Sequence, residues 1–116
     1  MNSKELINLQ HNICHKYGAQ FIEAPDSLKV GVSRNLQSGL IPIHGLRHPP
    51  EGDTTGWYIW VGELSQDSDF FVPLCAAHLD KWCPAVLPYL GLAPGWRFLL
   101  ADEYKDICWD EDLLNI

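Results

Sequence analysis

Between Asn2 or Ser3 and Tyr17 the apolar residues Leu6, Ile7, Leu9, Ile13, Cys14 and Tyr17 recur at spacings of three and four. That period predicts an amphipathic helix over about residues 3–17, capped before Glu5 and stopped at Gly18. Gln20–Asp26 ends in Pro25-Asp26 and reads as a connector or a weak edge strand. Leu28–Ser33 alternates apolar with small or polar residues, as a half-buried strand does, and Arg34–Gly39 reads as a turn or short helical piece. Leu40-Ile41-Pro42-Ile43 is apolar, but Pro42 cannot donate to a ladder, so an edge strand or an extended segment is expected. Gly45–Thr55, with Pro49-Pro50 and two glycines, is expected to be the longest loop.

Two runs open on the same dipeptide, Gly56-Trp57-Tyr58-Ile59-Trp60-Val61 and Gly95-Trp96-Arg97-Phe98-Leu99-Leu100. Both are rich in aromatic and branched residues, so both predict core strands. Trp57–Val61 is apolar on both faces and is expected to be central. Glu63–Asp69 predicts a polar turn, Phe70–Leu74 a further strand, and Cys75–Trp82 a helix whose inward residues are Cys75, Leu79 and Trp82. A second helical turn is expected over Pro84–Leu90, ended by Gly91. Asp102–Asp106 reads as an acidic turn leading to a hairpin partner at Ile107-Cys108-Trp109, followed by the tail Asp110–Ile116. The expectation is an α+β fold: a small antiparallel sheet of about five strands, with the N-terminal helix and a central helical segment packed against it. At 116 residues one domain over 1–116 is expected.

Composition adds that 47% of residues are apolar and 20% charged, the profile of a globular protein rather than a disordered one. Charge changes the picture more. Residues 1–58 carry five basic and five acidic side chains, whereas residues 59–116 carry three basic against ten acidic, so the net charge of −7 lies in the second half. An acidic surface repels nucleic acid and anionic lipid and speeds the docking of a basic partner. No apolar leader or membrane-spanning run is present, which sets the expectation of a cytoplasmic protein whose four cysteines are reduced.

Candidate chemistry is sparse. His11 and His15 stand four apart on the first helix without a third ligand, and Cys75-x2-His78-x4-Cys83 lacks the two close ligand pairs of a structural zinc site. No metal and no cofactor is therefore expected. His44 and His48, with Arg47 and Glu51, offer an acid–base pairing on a loop. No phosphate-binding loop, dinucleotide fingerprint or nucleophile elbow occurs, so catalysis is disfavoured. The acidic residues Asp102, Glu103, Asp106, Asp110, Glu111 and Asp112 remain, with Trp109 among them as a candidate interface anchor.

The runs Gly45-Leu46-Arg47-His48-Pro49-Pro50-Glu51-Gly52, Gly56-Trp57-Tyr58-Ile59-Trp60, Pro88-Tyr89-Leu90-Gly91-Leu92 and Pro94-Gly95-Trp96-Arg97-Phe98 resemble the immunity protein 33 domain family of bacterial polymorphic-toxin systems. The similarity covers roughly residues 30–114 and leaves the first helix outside. It implies a small, non-enzymatic protein that binds and neutralises a cognate toxin. It assigns no role to Cys75 or Cys83 and defines no toxin-contacting residue. Joined to the charge pattern, it sets the expectation of a toxin with a basic surface that acts in the cytoplasm, met by Asp102, Glu103, Asp106, Trp109, Asp110, Glu111 and Asp112. Two alternatives stay open: a regulatory or scaffold module for another basic protein, and a small hydrolase using His44 and His48.

Overall fold

A computed structural model describes residues 3–115, so Asn2, one of the two expected starts of the first helix, and the end of the tail at Ile116 lie outside the described residues. Helix α1 spans Ser3–Tyr17, as its period predicts. One inward position differs: Leu9 is exposed, whereas Gln10 is buried and donates its Nε2–H to the Leu87 carbonyl at 2.9 Å. A buried amide is tolerated because that bond satisfies it.

Six strands follow: β1 (Lys29–Ser33), β2 (Ile43–Arg47), β3 (Thr54–Val61), β4 (Phe71–Cys75), β5 (Trp96–Ala101) and β6 (Tyr104–Trp109). They form one sheet in the order β4-β1-β3-β2-β5-β6. The pair β1–β3 is parallel and the other four are antiparallel, so the sheet is mixed, with six strands where about five antiparallel ones were expected. Trp57–Val61 is central, with β1 on one side and β2 on the other.

Three expectations are corrected. The strand foreseen at Leu40–Ile43 begins only at Ile43, after the cis Ile41–Pro42 bond, and continues through Arg47 as an interior strand. Gly45–Thr55 is accordingly no continuous loop, because Gly45–Arg47 ends β2 and Thr54-Thr55 opens β3. Neighbouring strands on both sides supply the hydrogen bonds that the local composition argues against. The helix expected at Cys75–Trp82 is shorter: Cys75 closes β4, a 3-10 turn covers Ala76–His78, and α2 is only Leu79–Trp82.

Helical pieces cover one face of the sheet. Val30, Val32, Trp57, Ile59, Val61, Phe98 and Leu100 form a core with Cys14 of α1, Leu36, Ala76, Leu79, Val86 and Tyr89. At the centre of this layer lies Arg47, whose side chain has no solvent exposure. No carboxylate pairs with it among the described residues. Its Nε–H donates to the Thr55 carbonyl at 2.9 Å, Nη1 to the carbonyls of Ile22 (2.7 Å), Leu92 (2.8 Å) and Leu90 (3.4 Å), and Nη2 to that of Glu23 (3.1 Å). The guanidinium also lies 5.6 Å from the centre of the Trp57 ring, whose own N–H donates to Leu90 at 3.0 Å. Burial lowers the Arg47 pKa to about 10, with Cys14 acting in the opposite direction, so the group stays charged at neutral pH. It collects carbonyls from three segments that no regular ladder satisfies.

Arg47 also explains the first Gly-Trp run. The register of β1 on β3 slips between Lys29↔Thr54 and Gly31↔Tyr58, which marks an irregularity at Thr55-Gly56. Gly56 has φ +90, and a Cβ there would collide with the His48 carbonyl oxygen, so only glycine fits. Thr55, buried beside it, holds the turn by donating to Lys29 and accepting from the Trp57 N–H.

Replacing Arg47 with Met leaves those carbonyls buried and unpaired. The expected cost is at least about 3 kcal/mol of unfolding free energy, read by denaturant titration with tryptophan fluorescence. Arg47→Lys is expected to recover only part of it, since an ammonium cannot span carbonyls placed around a planar fork.

Candidate functional site

The opposite face of the sheet carries Tyr58 and Trp60 of β3, His44 and Leu46 of β2, Arg97 and Leu99 of β5, and Asp106 and Cys108 of β6, by strand alternation and register. At its β4 end Phe71 meets Tyr58 and Trp60 edge-on, at ring distances of 5.1 and 5.9 Å. At its β6 end it hollows into a cavity of about 310 Å³ lined by His44, Arg97, Leu99, Asp106, Cys108 and Asp110, among others. Here Arg97 Nη1 donates to Asp110 Oδ2 at 3.3 Å.

The two histidines of the loop hypothesis both sit on this face, but neither is on a loop with a carboxylate partner. His44 is within β2 and stacks on Trp60 at 4.9 Å and 12°. Its pKa is lowered, first by burial and then by the nearby Arg97 charge. His48, one residue past β2, engages the Leu113 carbonyl through Nδ1 at 2.8 Å and meets Tyr58 edge-on. Each ring is committed to packing, and no carboxylate is hydrogen-bonded to either among the described residues. His11 stacks on Phe21 at 3.9 Å. Among the described residues no three His, Cys, Asp or Glu side chains are grouped so as to hold a metal ion.

The six residues singled out by charge are distributed along β6 and its two ends. Asp102 and Glu103 make the two-residue turn that joins β5 to β6, tighter than the expected Asp102–Asp106 because Tyr104–Asp106 are already in strand. Asp102 adopts φ 41, a left-handed conformation that aspartate accepts better than most residues. Asp106 lies within β6, exposed. At the far end Asp110 helps to hold the chain in place. Besides pairing with Arg97, its Oδ1 accepts the Asp112 N–H at 3.1 Å and caps the 3-10 turn Glu111–Leu114. Glu111 and Asp112 are exposed on that turn. The two acidic ends are separated by the length of β6, roughly 20 Å at the rise of a strand, so the charges make a ribbon rather than a compact patch.

Trp109 occupies the helix side of the same strand. It remains 49% exposed while meeting Trp96 edge-on at 5.8 Å. Gly95 makes room for it: φ is +101, and a Cβ there would collide with the Trp109 ring. Both Gly-Trp runs thus depend on glycine at a close approach, the first under a carbonyl and the second under an indole. Arg97, His44 and Cys108 were not singled out beforehand as a group, since only the sheet order brings them together. The Cys108 thiol is pushed up by burial and by the Asp106 and Asp110 charges, against the effect of Arg97, which keeps it protonated.

A family model described as the Imm33-like domain matches residues 9–110, and the chain belongs to that family, one of immunity-type proteins. The match begins within α1, so the first helix, expected outside the resemblance, lies partly inside it. No curated protein and no solved structure matches the chain. Every segment that carries the resemblance touches the Arg47 centre: Arg47 itself, Thr55 and Trp57 beside Gly56, Leu90 and Leu92, and Gly95, whose N–H donates to the Arg47 carbonyl at 2.8 Å.

Gly95→Ala is expected to displace the Trp109 ring, giving a red-shifted tryptophan emission and a lower melting temperature. For His44 the pKa is lowered on folding, so the unfolded chain binds the proton more tightly. Stability is then lost as pH falls below about 6.5, and His44→Gln is expected to flatten this slope in denaturation curves taken between pH 7.5 and 5.

Proposed function

We propose that this protein is a non-enzymatic immunity protein that binds and neutralises a cognate toxin, that the toxin acts in the cytoplasm, and that the acidic ribbon of β6 and its flanking turns receives it. The observation that carries the reading is family membership combined with a ribbon along the outermost strand and its two turns in which six acidic side chains stand against one lysine, Lys105. Toxins that attack nucleic acid present basic clefts, because their substrates are polyanions. An acidic ribbon meets such a cleft with fast, salt-sensitive association. The commitment of His44 and His48 to ring packing and to the Leu113 carbonyl favours binding over catalysis. None of the helices among the described residues is long and apolar enough to cross a membrane.

Co-expression with the toxin candidate encoded beside this chain's gene tests the reading directly. Growth rescue and co-purification are expected; a neighbour that is not toxic, or that kills regardless, sinks the immunity assignment. To test the surface, Glu103, Asp106, Glu111 and Asp112 are changed to Lys together, leaving Asp102 for its backbone and Asp110 for its cap. Association is expected to slow roughly tenfold or more at low salt, with a flatter salt dependence. Unchanged kinetics would move the interface elsewhere.

A further inference from the structure

The two outer edges of the sheet differ in what their backbones offer. On β4, the Ala76 N–H donates to the Leu28 carbonyl, which fixes the alternation: residues 72 and 74 bond to β1, and residues 71, 73 and 75 turn outward. Residue 73 is proline, so this edge lacks a donor at its midpoint. On β6 the alternation is fixed in the same way. The two-residue turn closes on the pair Ala101↔Tyr104, and the Asp110 N–H donates to the Gly95 carbonyl at 2.7 Å, so Tyr104, Asp106 and Cys108 bond to β5. Lys105, Ile107 and Trp109 therefore turn their N–H and C=O groups away from the sheet. No proline interrupts β6, and all its residues except Ile107 are exposed, so nothing among the described residues covers this edge.

Side chains along the same strand sort by face. Asp106 and Cys108 point to the open face beside Arg97 and Leu99, with Asp110 just beyond, while on the helix side Ile107 and Trp109 form an apolar strip next to Trp96, with Lys105 at its turn end. A seventh strand laid against β6 would place alternate side chains against a carboxylate on one face and against Ile107 and Trp109 on the other. From this geometry we infer that β6 captures an extended strand of the toxin by main-chain pairing, one whose basic residues alternate with apolar ones. The inference rests on the function proposed above and specifies how the acidic ribbon is used. A second copy of this chain fits poorly: centred on Ile107, an antiparallel β6–β6 pair offers Asp106 only Cys108 and brings the acidic turn Asp102-Glu103 of each copy beside Glu111-Asp112 of the other.

The test uses the toxin domain suppressed in the co-expression assay, mixed with the intact protein, and reads amide hydrogen exchange residue by residue. In the free protein Lys105, Ile107 and Trp109 are expected to exchange fast, and Asp106 and Cys108 slowly. In the complex the first three are expected to become protected. Lys105→Pro removes an outward donor without touching the β5 ladder, so it is expected to weaken binding about tenfold or more, while Lys105→Ala does not. Suppression and binding with the three amides still unprotected would overturn strand capture and leave the immunity reading standing. Failure of this protein to suppress any neighbouring toxin would overturn both. Protection that rises with this protein's own concentration, without toxin, would assign the edge to a second copy and overturn the proposal.

Discussion

A buried guanidinium with no carboxylate partner among the described residues is the constraint on which this fold turns. Moving an arginine out of water is costly, and here the cost is offset by backbone carbonyls rather than by a counter-ion. Those carbonyls come from segments that could not satisfy themselves: the connector after α1, the irregular start of β3, and the chain between the Pro84–Tyr89 3-10 helix and β5. Each side depends on the other, since the carbonyls need donors and the charge needs acceptors. Helix layer and sheet are joined at this point as well as through the apolar core.

Around this centre meet the four runs that carry the resemblance, each with at least one residue in contact with it. Gly56 and Gly95 share no turn type, yet each stands where a side chain would collide with something fixed, in one case a carbonyl and in the other an indole ring. The exposed acidic ribbon lies on the other side of β5 from Arg47 and contributes nothing to its pairing. The family match takes in both the scaffold and most of the ribbon, since it runs through β6 to residue 110.

How much was legible in the sequence follows from the same division. Helix α1 and the strands Trp57–Val61 and Trp96–Ala101 announce themselves by period, and so does β4, whose Pro73 is harmless at an edge. Strand β2 did not, because Pro42, Gly45 and Pro49-Pro50 are loop signals, and the hydrogen bonds that override them come from β3 and β5, outside its own stretch of sequence. The parallel β1–β3 pair and the burial of Arg47 are likewise non-local, since a charged residue close to two prolines reads as surface. Charge alone located the acidic ribbon, but not that β6 is outermost, nor that Asp110 holds a cap and an arginine while Glu111 and Asp112 stay exposed. The grouping of His44, Arg97, Asp106 and Cys108 exists only once the strand order is known.

Pro73 and the uninterrupted backbone of β6 give the sheet a polarity with a consequence for its history. One margin lacks a donor at its midpoint whatever its neighbouring side chains are, and the other is uninterrupted and lined by residues that the Arg47 centre does not need. Under the proposed function, side chains on that open margin are free to drift with a changing toxin while the interior is held still. Lineages of this fold would then diverge in partner while keeping one scaffold.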